Sequence, residues 1–145
     1  MAKGGRDLDR SAMHLLHRAG QCAADMFSSE ARTSGLTPRQ FAVLMVVADE
    51  EGLTQTDLVE RTGIDRSTLA DIVARLLSRG LIQRRRAKDD ARAYAIKLSP
   101  QGVKALREAQ PGAAAADQKL LANLPPAKRQ EFLDTLNLIV SALRE

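Results

Sequence analysis

The 145 residues predict a mainly α fold with a small β wing: a winged helix-turn-helix flanked by further helices at its N- and C-terminal ends. Three observations carry that expectation. Apolar residues recur at helical spacing over most of the chain. Helix, tight glycine turn and helix follow one another between Thr54 and Gly80. Beyond Gly80 the period changes from helical to alternating for the length of one hairpin, and then returns to helical. Composition agrees, since 44% of the residues are apolar but only 3% aromatic, so a core must be built from Leu, Ile, Val, Ala and Met, which favours helices.

Each element has its own signal. From Leu8 to Phe27 the apolar positions Leu8, Ala12, Leu15, Leu16, Ala19, Cys22, Ala23, Met26 and Phe27 make a helical stripe, with His14, Arg18, Gln21 and Asp25 on the other side. Thr33-Ser34-Gly35 breaks that helix, and Thr37-Pro38 starts a second by supplying a cap oxygen and a first-turn proline. The second helix, Pro38 to Glu50, is apolar enough to be buried. Glu51-Gly52 ends it, and Leu53 can add a very short strand. Thr54 caps a third helix that runs to Thr62, and Gly63 turns the chain. Asp65 caps a fourth, Arg66 to Arg79, with Gly80 where a left-handed residue belongs.

Leu81 to Arg86 then pairs with a strand in which Tyr94, Ile96 and Leu98 share one face and Ala95 and Lys97 the other; Lys88-Asp89-Asp90-Ala91 forms the tip. Ser99-Pro100 opens a helix carrying Val103, Leu106, Ala109, Leu120 and Leu121, which Pro111-Gly112 should kink or break. Pro125-Pro126 opens the last, with a stripe of Phe132, Leu133, Leu136, Ile139, Val140 and Leu143. The chain reads as one domain, 1–145, with residues 33–99 as the winged module and residues 1–32 and 100–145 as flanking helices.

Lysine and arginine total 22 against 18 acidic residues, and the sequence pI is about 9.6, which suits an anionic partner. Between Gln83 and Lys97 six basic residues (Arg84, Arg85, Arg86, Lys88, Arg92, Lys97) face two acidic ones (Asp89, Asp90), so this stretch accounts for the whole chain's net charge of +4. The first residues lack the apolar core of a signal peptide, and no apolar run is long enough to span a bilayer. A single cysteine, Cys22, allows no intrachain disulfide, and the cytoplasm is the expected location.

A helix-turn-helix with a basic hairpin suits duplex DNA, because the second helix fits the major groove while the first crosses the backbone. In the fourth helix Leu69, Ile72, Val73 and Leu76 face the core, leaving Arg66, Ser67, Ala70, Asp71, Ala74 and Arg75 outward. Arg66 and Arg75 can reach guanine edges or phosphates, Ser67 and Thr68 can donate to phosphates, and the alanines allow close approach. Asp71 can orient an arginine, accept from a cytosine amino group, or be a solvated helix charge. Arg92 is long enough to enter a minor groove, and Arg84, Arg85, Arg86 and Lys88 fit phosphate neutralisation.

Asp90-Ala91-Arg92-Ala93-Tyr94-Ala95-Ile96-Lys97-Leu98-Ser99-Pro100-Gln101-Gly102 resembles the wing signature of MarR-type regulators, Asp-x-Arg followed by a strand ending Leu-Ser/Thr-x-x-Gly. Leu36-Thr37-Pro38-Arg39-Gln40-Phe41 and Leu76-Leu77-Ser78-Arg79-Gly80-Leu81-Ile82 also resemble that family. The resemblance implies a homodimer whose first and last two helices interlock and hold two winged modules over one pseudo-palindromic operator. The terminal apolar stripes lead to a dimer independently. It further implies that Arg92 enters the minor groove and Asp90 helps fix the wing. A small-molecule effector, an aromatic or carboxylate-type compound or a coenzyme A thioester, would lodge between the dimer helices and the DNA module and release a repressor from its operator. Candidate residues for that are His14, His17, Arg18, Gln21 and Phe41. Peroxide-sensing members carry a reactive cysteine in the first helix; Cys22 stands on the apolar stripe without nearby tyrosines, and a buried, inert thiol is expected.

No catalytic constellation, phosphate-cradling glycine loop or metal cluster is visible: Gly4-Gly5 follows no strand, and His14 and His17 share one helix. Neither an enzyme nor a bound cofactor is expected. The three phenylalanines and one tyrosine stand at apparent core positions, which leaves no stacking platform for single strands. The rival readings are a winged helix that binds only proteins, which would not require the wing arginines, and a redox sensor acting through Cys22.

Overall fold

Side-chain oxygens set most of the helix starts in residues 7–87 and 93–143, the part of the chain that the computed structural model describes. Ser11, Thr37, Thr54, Asp65 and Ser99 each accept a hydrogen bond from the backbone N–H three residues on. They open α1 (Ala12–Glu30), α2 (Pro38–Asp49), α3 (Gln55–Thr62), α4 (Arg66–Ser78) and α5 (Pro100–Leu121). A sixth helix, α6 (Pro126–Ala142), starts on proline alone. Asp7 and Leu8 are helical as well, but a turn at Asp9 and Arg10 separates them from α1, which Ser11 starts afresh at Ala12. Thr37 with Gln40 and Thr54 with Asp57 close reciprocal capping boxes, each satisfying two backbone donors that the helix cannot.

β1 (Ile82–Arg86) and β2 (Tyr94–Leu98) pair antiparallel, from Ile82 opposite Leu98 to Arg86 opposite Tyr94. Leu53 joins this sheet as a one-residue bridge, its carbonyl accepting the Ile96 N–H at 2.9 Å. The core lies beneath the sheet and between α2, α3, α4 and the first half of α5, with Val43, Leu44, Leu58, Leu69 and Leu76 fully buried.

The junction from α4 to α5 is tightly made. Gly80 is left-handed (φ 71°), and the N–H groups of Gly80 and Leu81 bond back to Leu77 and Leu76, closing a Schellman end. The buried Ser99 hydroxyl donates to the Gly80 carbonyl and accepts from the Gly102 N–H, and the Ser99 N–H donates to Leu81. A Cβ at Gly102 would stand 1.9 Å from the Leu81 carbonyl oxygen. The Leu-Ser-x-x-Gly pattern is thus a structural clasp that fixes the base of the wing against the end of α4.

Three expectations need correction. Pro111-Gly112 does not break α5, which runs unbroken to Leu121. Pro111 removes one backbone donor, but Ala109 and Ala116 on either side are buried, and tertiary packing carries the helix through. Gly112 serves contact instead: a Cβ there would meet the Glu30 carbonyl oxygen at 2.4 Å, so the end of α1 lies directly on α5. Cys22 is exposed, not buried. Only Phe27 of α1 is buried, because the chain's own core reaches just the C-terminal end of that helix, leaving Met13, Leu15 and Leu16 exposed. Tyr94 is 39% exposed, standing out on the wing where the arginines of β1 cover its ring.

Candidate nucleic-acid interface and adjoining cavity

The outward side of α4 is a continuous exposed face of Arg66, Ser67, Ala70, Asp71, Ala74, Arg75 and Ser78, while Leu69, Ile72, Val73 and Leu76 anchor the helix from behind. At its start the Asp65 carboxylate accepts from the Ser67 hydroxyl at 2.9 Å and the Thr68 N–H at 3.1 Å. Hydrogen bonds from Thr68 and then Ser67 hold this carboxyl at about 2, below its ordinary 3.8. The Ser67 hydroxyl thus donates to Asp65 here, and Ser67 remains exposed at the start of α4. Of the alternatives for Asp71, the structure shows the arginine partner: Arg75 Nε donates to its carboxylate at 3.0 Å.

The hairpin sorts its cations by strand parity. Arg84 and Arg86 share one face with Tyr94, their guanidinium carbons 4.7 and 5.5 Å from the ring centroid, a cation–π geometry that stiffens long side chains. Gln83 and Arg85 share the other face with Ala95 and Lys97. Lys88, Asp90 and Arg92, the tip residues on which the wing reading rests, lie outside the described residues.

Behind α4 lies an open cavity of about 920 Å³ between α1, the first turn of α2, α4 and the second half of α5. Leu16, Phe27, Phe41, Ile72 and Leu120 supply apolar wall, with the Phe27 and Phe41 rings tilted at 5.5 Å between centroids. His17, Gln21, Arg39, Asp71, Arg75 and Asp117 supply the polar groups. Of the candidates named from sequence, His17, Gln21 and Phe41 line the cavity; His14 and Arg18 do not. Sequence reasoning missed Arg39 and Asp117. Arg39 sits in the polar first turn of a helix whose later positions are apolar, a signal that becomes meaningful once that turn is known to face α1. Thr68, Asp71 and Arg75 were assigned to DNA, yet they also line the cavity. Among the described residues there is no cluster able to hold a metal ion, and no helix long and apolar enough to cross a membrane.

A helix-turn-helix locked to a two-stranded wing and framed by long terminal helices defines the winged-helix class of regulator. A model described as the MarR family matches residues 34–93. Over 123 residues the chain is 35% identical to a putative transcriptional regulatory protein for the hcr operon of Thauera aromatica, covering 82% of this chain and 73% of that one. The PcaV transcriptional regulator of Streptomyces coelicolor, solved with its natural ligand, superposes with a TM-score of 0.86 at 31% identity, covering 93% and 95% of the two chains. BpsR of Bordetella bronchiseptica, solved in work on the regulation of its DNA binding by 6-hydroxynicotinic acid, gives 0.83 at 30% identity and 89% and 92% coverage. The chain belongs to the MarR family of transcriptional regulators.

Proposed function

We propose that the protein is a cytoplasmic homodimeric repressor that binds a pseudo-palindromic operator in duplex DNA and is released by a small aromatic carboxylate. It acts by binding rather than by catalysis. Residues 33–99 read the DNA; residues 1–32 and 100–145 dimerise. Arg66 and Arg75 contact bases or phosphates from α4 in the major groove, with Ser67 and Thr68 at its N-terminal end. Arg84, Arg85, Arg86 and Lys88 neutralise phosphates, and Arg92, its wing fixed by Asp90, enters the minor groove.

The observation that carries the effector half is that α4 forms both the outward face and a wall of the cavity, through Thr68, Asp71 and Arg75. A ligand held there between phenylalanine rings and the Arg39 and His17 side chains touches the helix that must meet DNA. It favours a spacing of the two recognition helices other than the roughly 34–36 Å that one turn of DNA demands. The cavity is at the upper end of the usual size for small-molecule sites, about 300–1,000 Å³, and admits an aromatic acid with room for a longer tail such as a thioester.

The test begins with a duplex selected by the full-length protein from a random-sequence pool. That duplex is then titrated in the presence of benzoate, 4-hydroxybenzoate and 6-hydroxynicotinate. Release by at least one of the acids is the expected result; a protein that selects no sequence is not a DNA-reading repressor. The exposure of Cys22 favours one second reading, release by oxidation. In that case peroxide frees the operator from the native protein and not from Cys22→Ser.

A further inference from the structure

Arg75 stands where two surfaces meet. It belongs to the exposed outer face of α4, and it also lines the cavity behind that helix together with Thr68, Asp71 and Ile72. Among the described residues its partner is Asp71 one turn earlier, and both side chains remain largely open to solvent, 69% and 63% exposed. An exposed pair one helical turn apart contributes little, because water screens it and two long side chains lose freedom to hold it. The guanidinium is thus kept near one place at little energetic cost, and an anion in a better desolvated position takes it over readily. Guanidinium suits this exchange, since its fork geometry serves carboxylate and phosphate alike.

We infer that Arg75 is a shared ligand of effector and operator: its guanidinium binds the effector's carboxylate on the cavity side or the DNA on the outer side, one at a time, with Asp71 as the intervening competitor. This rests on the reading of the protein as a carboxylate-released repressor and adds a direct route to it. Besides altering the spacing of the two recognition helices, the ligand removes one cation from the DNA face. Reciprocity follows, because DNA that holds Arg75 takes a carboxylate partner out of the cavity. Arg39, on the first turn of α2, remains in the cavity in either case and accounts for the part of ligand affinity that Arg75 does not.

Two substitutions of opposite sign test the assignment in the full-length protein. Affinities are measured for the selected duplex alone, for each of the three acids alone, and for each in the presence of the other. In Arg75→Gln the best acid is expected to bind about tenfold more weakly, and the factor by which duplex weakens it to fall about fivefold, out of the usual span of 5–150. The matching uncharged carboxamide should bind native protein and variant alike, which a merely structural role for Arg75 would not produce. Arg75→Lys should restore part of the effect. Asp71→Asn removes the competitor, so duplex and acid should both bind more tightly. The inference is overturned if Arg75→Gln leaves the coupling factor unchanged while the acid still binds, or if Asp71→Asn weakens duplex binding. If no acid binds the native protein, the effector reading and this inference fail together. If the acid binds and the spacing effect alone persists, only this inference fails.

Discussion

At Gly102 the backbone of α5 passes so close to the Leu81 carbonyl that an added Cβ would lie 1.9 Å from its oxygen and 2.9 Å from its carbon. That oxygen already accepts the Ser99 N–H at 3.0 Å, so it cannot move aside without opening the clasp. Gly102→Ala is expected to cost about 3 kcal/mol, the upper end for an overpacked site, read as a lower urea midpoint at unchanged slope. Asp65 acts through charge instead. Its folded-state value of about 2 lies below its ordinary 3.8, so its contribution to stability is complete above the ordinary value and is lost as pH falls through about 2. Asp65→Asn keeps a capping oxygen but does not titrate. Its stability should therefore fall less than that of the native protein between pH 3.8 and about 2, measured by denaturant midpoints across that window. A loss of equal size in both proteins would place the acid sensitivity elsewhere.

Among the elements, the wing is where strand parity gives chemically similar residues different surroundings. Arg84 and Arg86 cover Tyr94, whereas Arg85 projects from the opposite face with Lys97. Each arginine that neutralises a phosphate adds about 0.9 to the slope of log affinity against log salt. Arg85→Gln should lower that slope by about this amount while leaving sequence preference unchanged. Arg92→Ala should cost about 1–3 kcal/mol and relax preference at its own site; an unchanged salt titration in both variants would reduce the hairpin to a solvated charged loop. Most of this level was legible in the sequence. Thr37, Thr54, Asp65 and Ser99 announced their helices because capping is local, and the glycines at 63 and 80 took the left-handed turns expected of them. Pro111 misled for the converse reason: a proline's local cost is visible in sequence, but the packing of Ala109 and Ala116 that outweighs it is not.

At the scale of the whole molecule, the cavity was only partly legible, since His17, Phe41, Arg39 and Arg75 stand on three helices whose convergence is a tertiary fact. The terminal stripes were legible as helices and led to a dimer, and in the single chain they stand open. No residue of α6 is buried, and Leu138, Val140 and Leu143 are 69%, 59% and 80% exposed. Helices of this length draw most of their stability from packing an apolar face. Its described polar anchor is slight: Arg129 Nε donates to the Leu121 and Leu124 carbonyls at 3.0 and 3.1 Å. Met13, Leu15 and Leu16 on α1 are open as well. A second copy of the chain would cover both ends at once, and self-association through one repeated surface is the commonest symmetric solution. If dimerisation supplies that burial, folding and assembly are linked by mass action, and the melting temperature must rise with protein concentration. Leu138→Glu combined with Val140→Glu places two charges on the exposed face without touching the winged module. This variant is expected to sediment as a monomer, melt at a lower temperature that no longer depends on concentration, and lose cooperative binding to a two-half-site operator. A native protein that remains a folded monomer at micromolar concentration, melting at one temperature throughout a dilution series, would show that the terminal helices are stable without a partner.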